Sequence, residues 1–321
     1  MTKQTSKQIV IIGAGVIGLT SGIRLLEQGA SVTIMANALS PNTTSDVAAA
    51  YWFPTGEPEK RVLGWGRVAY DVLNNLSNDP ETGVFFRYFN KLSHDPLPDP
   101  PYLDIVDEFE RLDCSTLRGN YSDGFRMRIP LIDTPIYMAY LMRHYHALGG
   151  QIEQRYIDNL LDLAEAHPVI INCSGAWAAQ LANDSACYPM RGQVVRIRKP
   201  EGLTPDLFSM TWRGEPTYII PRQHDCILGG TKQVNNWTLS PEQATADAII
   251  ARCAEFNPLL SDPEILEHKV GLRPGRSRVR LESEALSTRC TIIHNYGHGE
   301  DGHGMAWGCA AEVADIVSQL V

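Results

Sequence analysis

Residues 294–304, "HNYGHGEDGHG", place His294, His298, His303, Glu300 and Asp301 within eleven positions. On a helix, His294 and His298 would share one face and could ligate zinc. Four glycines, at 297, 299, 302 and 304, argue against a regular helix there. The stretch reads as a loop for close backbone approach rather than as a metal site. A second stretch carries different chemistry. "GAGVIG", with Gly13, Gly15 and Gly18, matches G-x-G-x-x-G directly after an apolar strand and before a helix. The first glycine permits a tight turn, the second lets backbone approach a pyrophosphate, and the third allows close helix packing. The helix N-terminus adds partial positive charge. In that context the pattern favours a bound nucleotide over a plain tight turn.

That fingerprint also asks for an acidic residue at the end of the second strand, on a ribose hydroxyl. Here Asn37 and Ala38 stand in its place, and no carboxylate follows before Asp46. An asparagine amide can still hydrogen-bond a hydroxyl. Adenosine affinity is therefore expected to be weaker than the full pattern would give.

The elements that must position these residues follow from periodicity. "QIVIIG" reads as a strand, and Val16, Leu19, Ile23 and Leu26 recur at helical spacing up to a stop at Gly29. "SVTIMA" is the next strand, so the unit is parallel with a right-handed crossover. Helices are expected over 57–76, 134–149 and 240–256, the last opening on Ser240-Pro241. Strands are expected at "FFRYF", "FRMRI", "QIEQRYI", "PVIINCSG" and through 189–234. A last strand, "TIIHNYG", leads through the glycine loop into a final helix from Gly304. The fold class is α/β: a discontinuous Rossmann-like domain (1–52, 134–186, 268–321) with an inserted β-rich domain (53–133, 187–267).

Bulk properties narrow the function. The chain of 321 residues has a net charge of −9, which argues against nucleic acid as partner. No apolar run reaches the ~18 residues of a membrane helix, and the first residues lack a signal peptide's pattern. Seven scattered cysteines, none in C-x-x-C, read as reduced thiols of a cytoplasmic protein.

"TTSDVAAAYWFP" (43–54), "INCSGAWAAQL", "RGQVV", "PTYIIPR", "VGLRPGRSRVRLE" and "HNYGHG…WGCA" together resemble, in order and across the chain, the D-amino-acid oxidase family of flavoproteins, which includes D-aspartate oxidases. The resemblance implies FAD as cofactor. It places the cofactor against Gly13, Ala14, Gly15, Val16, Ile17 and Asn37, then Thr43, Thr44, Ser45 and Ala48. Ser174, with Gly175, would touch the adenine side, while Cys173 reads as buried packing. Gly299, Gly302, His303 and Gly304 would bring the last helix's N-terminus to the flavin, whose reduced form carries negative charge that a helix dipole stabilises. The three histidines are then a by-product of that loop. Composition alone would leave 43–45 as a polar turn.

By the same resemblance, Arg273 of "GLRP" and Tyr218 of "YIIP" are the catalytic pair that grips the substrate carboxylate. A planar guanidinium suits a carboxylate in a two-pronged fashion. Without the motif, Arg273 would read as one of five arginines between 273 and 289 in surface ion pairs. Phe53 and Glu300 complete the substrate side, and Arg280 is expected to be structural or flavin-side. Two departures stand out: Glu300 replaces a glycine of the family's loop, and Gly304 replaces a common threonine. A carboxylate at Glu300 facing the substrate would favour basic over acidic side chains; one turned to solvent would give no preference. The implied reaction is oxidation of a D-amino acid by hydride transfer from the α carbon to flavin N5. It yields a 2-oxo acid, ammonia and, with oxygen, hydrogen peroxide. The alternatives are the same fold acting on glycine, an imino acid or D-aspartate, or a flavin-binding protein without turnover. Oligomeric state stays open, a homodimer being one option.

Overall fold

The computed structural model describes residues 8–54, 60–116 and 119–320. Two sheets divide the chain. The first holds β1 (Gln8–Ile12), β2 (Ser31–Ala36), β6 (Gln151–Gln154), β7 (Val169–Asn172), β14 (Arg280–Ala285) and β15 (Thr291–Tyr296). Their spatial order is β14-β15-β7-β1-β2-β6, parallel from β15 to β6, with β14 antiparallel at the edge. β1 sits between β2 and β7 and is apolar along its length, as a strand covered on both faces must be.

The second sheet holds β3 (Val84–Ser93), β4 (Phe109–Arg111), β5 (Asp123–Ile132), β8 (Tyr188–Arg198), β9 (Leu207–Trp212), β10 (Glu215–Pro221), β11 (Asp225–Gly229), β12 (Gln233–Val234) and β13 (Ile265–Gly275). Its path is β12-β8-β11-β10-β9-β3-β5-β4, with β13 also on β8. β13 is paired with β8 from Ile265 to Gly275, so the segment carrying Arg273 belongs to this larger sheet.

Among the described residues seven α-helices accompany the sheets: α1 (Val16–Glu27), α2 (Thr44–Val47), α3 (Lys60–Leu76), α4 (Thr134–Ala147), α5 (Ala178–Leu181), α6 (Gln243–Phe256) and α7 (Gly302–Leu320). α7 packs against both α1 and α3. The expected 57–76 helix is seen from Lys60; residues 57–59 lie outside the described ones. Two boundaries differ from expectation for physical reasons. α6 starts at Gln243, not at Ser240-Pro241, because β8 tethers the approach: Arg191 donates to the Ser240 carbonyl at 2.8 Å, and the Gln193 amide brackets the backbone of Glu242 at 2.8 and 2.9 Å. α7 starts at Gly302, so Gly302 and Gly304 form its first turn rather than loop. The backbone of Phe53 lies near Gly304 there, and a Cβ added at Gly304 would meet its nitrogen at an ordinary 3.6 Å.

A buried charge network ties the larger sheet to the start of α4 and to the 46–48 segment. Arg222, 3 % exposed, donates twice to Asp225 at 2.6 and 2.7 Å and lies 3.4 Å from Asp133. Arg196 donates to Asp225 at 2.5 Å. Arg222 also donates to the Thr134 hydroxyl, which itself reaches the carbonyls of Asp46 and Ala48 at 3.3 and 3.2 Å. Burial pushes the Asp225 carboxyl up, but Arg222 and Arg196 win and hold it below the usual carboxylate range.

Asp225→Ala strands a buried guanidinium, and the expected loss is about 3 kcal/mol in denaturant unfolding. Because the folded-state pKa is lowered, the stabilisation is complete above the unfolded value near ~4 and fades as pH falls through the lower folded value. A loss under about 1 kcal/mol at neutral pH would contradict the network's role.

Candidate active site

One long cleft of about 810 Å³ runs along the β1–α1 turn, past α2 and β13, to the N-terminus of α7. At one end the glycine turn supplies the floor. Gly13 has φ +108°, and a Cβ there would meet the Cys173 carbonyl oxygen at 2.4 Å. A Cβ on Gly18 would meet the Gly13 carbonyl at 1.9 Å, and one on Gly15 would meet Ser45 Oγ at 3.0 Å. The Ser45 hydroxyl accepts from the Val16 N–H at 2.9 Å, binding the first turn of α1 to the 43–47 segment. Thr43 donates to Asp46 through backbone and hydroxyl at 2.9 and 2.6 Å, which fixes that segment. Ser174 is fixed likewise, its hydroxyl and N–H both reaching the Asn172 amide oxygen.

Gly13, Ala14, Gly15, Val16, Ile17 and Asn37 line this cleft, as do Thr43, Thr44, Ser45, Ala48 and Ser174. So do Gly299, Gly302 and His303. Gly304 does not: it packs against the backbone of Trp52 and Phe53. At the outer end, where the acidic residue of the fingerprint is missing, the Asn37 carbonyl is taken by Gln154 at 3.2 Å, and Arg155, Tyr156 and Asp158 line the wall. Arg280 stays outside, bonded to Tyr296, Glu282 and Glu284.

The other end holds the polar pair. Arg273 and Tyr218 both line the cleft, with Phe53 and Glu300. Glycines clear the space they occupy. A Cβ on Gly192 would meet Arg273 Nη1 at 2.2 Å, and one on Gly229 would meet the Tyr218 ring at 2.0 Å. The guanidinium donates to the Thr231 carbonyl at 3.0 Å; among the described residues no carboxylate lies within 4 Å of it. Burial raises the Tyr218 hydroxyl's pKa despite Arg273 beside it. Glu300 pairs with Lys232 at 2.8 Å at the cleft mouth. Burial pushes its carboxyl up, but Arg273, Lys232 and Lys91 together bring it below the ordinary range.

The histidines are distributed, not clustered. His294 lies on β15 with Nε2 3.0 Å from Glu284. His298 and His303 are buried in the cleft wall, and burial lowers their pKa values to about 3 and about 4. Nε2 of each has no hydrogen-bond partner among the described residues. Two residues without an assigned role in the sequence lie near this end, Tyr51 in the cleft lining and Lys91 behind it. Tyr51 lies beside Ser209 and Tyr218, its hydroxyl pKa pushed well up by burial. Lys91 of β3 donates to Ser209 Oγ at 3.4 Å. The signal for Tyr51 was period-2 alternation with Phe53, around the fully buried Trp52. For Lys91 it was a cation, with Arg87, inside an aromatic strand, and strand pairing alone shows what it meets.

A glycine-floored cleft, a helix N-terminus at its far wall and unpartnered buried nitrogens fit an extended flavin dinucleotide. The chain belongs to the FAD dependent oxidoreductase family, whose model matches residues 8–316. It is 40% identical over 309 residues to a D-amino-acid oxidase of Rubrobacter xylanophilus, covering 96% of this chain and 94% of that one. It is 32% identical over 331 residues to the D-aspartate oxidase of Homo sapiens, covering 98% and 95%. The fold is that of glycine oxidase from Geobacillus kaustophilus, with TM-score 0.82 at 17% identity over 98% of this chain and 95% of that one. No described helix is long and apolar enough to cross a membrane.

Gly13→Ala forces a side chain into the Cys173 carbonyl at a backbone angle that L residues rarely adopt. At least roughly tenfold weaker FAD binding is expected in equilibrium dialysis, about 1.4 kcal/mol. Undiminished affinity would show that this turn does not carry the pyrophosphate.

Proposed function

We propose that this chain oxidises D-amino acids to 2-oxo acids, with oxygen as acceptor and with release of ammonia and hydrogen peroxide. The observation that carries the reading is the convergence of Arg273 and Tyr218 on one glycine-cleared end of the cofactor cleft. The relatives named D-amino-acid oxidase supply the expected handedness of the substrate. Bound FAD supplies the hydride acceptor and returns electrons to oxygen. Everything else falls to the chain. Arg273 takes the α-carboxylate through parallel N–H donors, and the Tyr218 hydroxyl donates to the same group. Both are anchored, the arginine by Thr231 and the tyrosine by its glycine bed, so alignment of the α C–H carries much of the rate. Phe53 and Tyr51 form an apolar wall that limits water.

On the cofactor side, the β1–α1 turn with Ser45 and Thr43 would hold the pyrophosphate. The N-terminus of α7, with Gly302 and His303, would face the end of the flavin that becomes anionic. The division into a cofactor domain and an inserted domain has the support of the two sheets, except that residues 268–275 of β13, with Arg273, belong to the larger sheet. A cytoplasmic location is supported by seven free, buried cysteines. A homodimer is proposed on no structural contact and is open to direct measurement by sedimentation.

The direct test is anaerobic addition of D-amino acids to the flavin-loaded protein: bleaching of the oxidised flavin bands is expected, and none with L-enantiomers. Arg273→Ala is expected to lose at least ~3 kcal/mol in kcat/KM, through loss of the charged partner of a desolvated carboxylate. Tyr218→Phe is expected to lose less, about 1.5–3 kcal/mol, the size of one hydrogen bond to a charged group. Unchanged efficiency in the arginine variant would remove the assignment.

A further inference from the structure

We propose that Lys91 sets the substrate preference, its ammonium receiving the side-chain carboxylate of a dicarboxylic D-amino acid. The inference rests on the D-amino-acid oxidase reading and names the substrate class of that site. It starts from strand register. Lys91 on β3 pairs with Ser209 on β9, Ser209 pairs with Tyr218 on β10, and Tyr218 pairs with Gly229 on β11. Directly paired residues project from the same face of a sheet. Lys91, Ser209 and Tyr218 therefore form a polar line on one face of the sheet; Tyr218 and Tyr51 line the cleft, and Ser209 and Lys91 lie behind them, with the Tyr51 hydroxyl bonded to Ser209. Two strand spacings of about 4.8 Å separate Lys91 from Tyr218. Once both side chains reach inward, a short dicarboxylic acid spans that gap.

The neighbours of Lys91 leave its charge unanswered. On its other side the register continues to Phe125, which packs with Phe53 and Phe89, themselves in tilted contact at 4.7 Å between centroids. Its hydrogen bond is to a neutral hydroxyl, Ser209 Oγ. Among the described residues no carboxylate makes an ion pair with it; Glu300 exerts attraction but is held by Lys232 at 2.8 Å. A lysine drawn into an apolar setting without a partner is unusual. Burial already disfavours its charged form, so an arriving carboxylate gains a desolvated partner. The Glu300 carboxylate thus does not face a basic substrate alone: three cations, Arg273, Lys232 and Lys91, act on it. When a substrate α-carboxylate occupies Arg273, Lys91 is the charge left facing the side chain. A basic side chain would bring a like charge beside it.

The test uses the flavin-loaded protein and steady-state rates on D-aspartate, D-glutamate, D-methionine and D-lysine. The parent is expected to favour the better acidic substrate over D-lysine by at least tenfold in kcat/KM. In Lys91→Met the ratio of acidic substrate to D-methionine should fall at least tenfold, mainly through KM, and Lys91→Arg should restore most of it. A parent that prefers D-lysine, or a Lys91→Met variant whose rates fall in proportion on every substrate, overturns the proposal while leaving D-amino-acid oxidation standing. Absence of turnover on all four substrates overturns the oxidase reading instead. A measurement on the parent alone covers a variant that does not fold. Succinate and butyrate are titrated against the flavin absorbance bands, and succinate is expected to bind at least tenfold more tightly. Equal affinities overturn the proposal.

Discussion

A guanidinium held at the end of a cleft with a carbonyl, not a carboxylate, for its partner is the constraint on which the site depends. Arg273 donates to the Thr231 oxygen and attracts the Glu300 carboxylate from a distance, but no ion pair among the described residues takes up its charge. Desolvating such a charge is costly unless an anion arrives. The larger sheet absorbs that demand by geometry. Gly192, facing Gly271 across the β8–β13 pair, leaves the volume in which the guanidinium lies. Gly229 does the same for Tyr218 on the neighbouring pair of strands. Small residues at these register positions leave room for the side chains of the proposed two-donor carboxylate clamp, which would otherwise collide.

The clamp has meaning only if the cofactor's reactive end is beside it, and that is a matter of how the sheets are joined. The 43–50 segment is the shared wall. Ser45 ties it to the dinucleotide turn, and Asp46 locks its own backbone through Thr43. Thr134 and Arg222 tie it to the β10–β11 turn of the larger sheet. The same β10 strand carries Tyr218 four residues before Arg222. The proposed cofactor wall and substrate clamp are thus referenced to one another through a few buried and partly buried hydrogen bonds, the kind that cannot slip without leaving polar groups unpaired.

Local patterns in the sequence exposed the first half of this arrangement. The β1–α1 turn is contiguous, and each glycine has its own steric reason, so Gly13, Gly15 and Gly18 could be read from spacing alone. The clamp could not. Arg273 is one arginine among several in its segment, and resemblance rather than physics singled it out. Gly192, Gly229, Lys91 and Lys232 were invisible because their roles come from partners on other segments, Arg273, Tyr218, Ser209 and Glu300, which one sequence does not encode locally. The start of α6 was misplaced for a related reason: a distant glutamine on β8 competes for the backbone that a proline and serine would otherwise cap. At Glu300 the sequence showed a carboxylate but not the lysine that answers it.

The central claim is that the site is built around a substrate carboxylate. The most direct measurement is stopped-flow anaerobic reduction of the bound flavin by a D-amino acid and by its carboxamide, which keeps the amine and the α C–H but removes the anion. Loss of the charge-assisted pair, worth about 3 kcal/mol, corresponds to a carboxamide slower by roughly a hundredfold in apparent second-order rate. Reduction by the carboxamide at a rate equal to that of the free acid would contradict the account, because Arg273 would then not be holding the substrate.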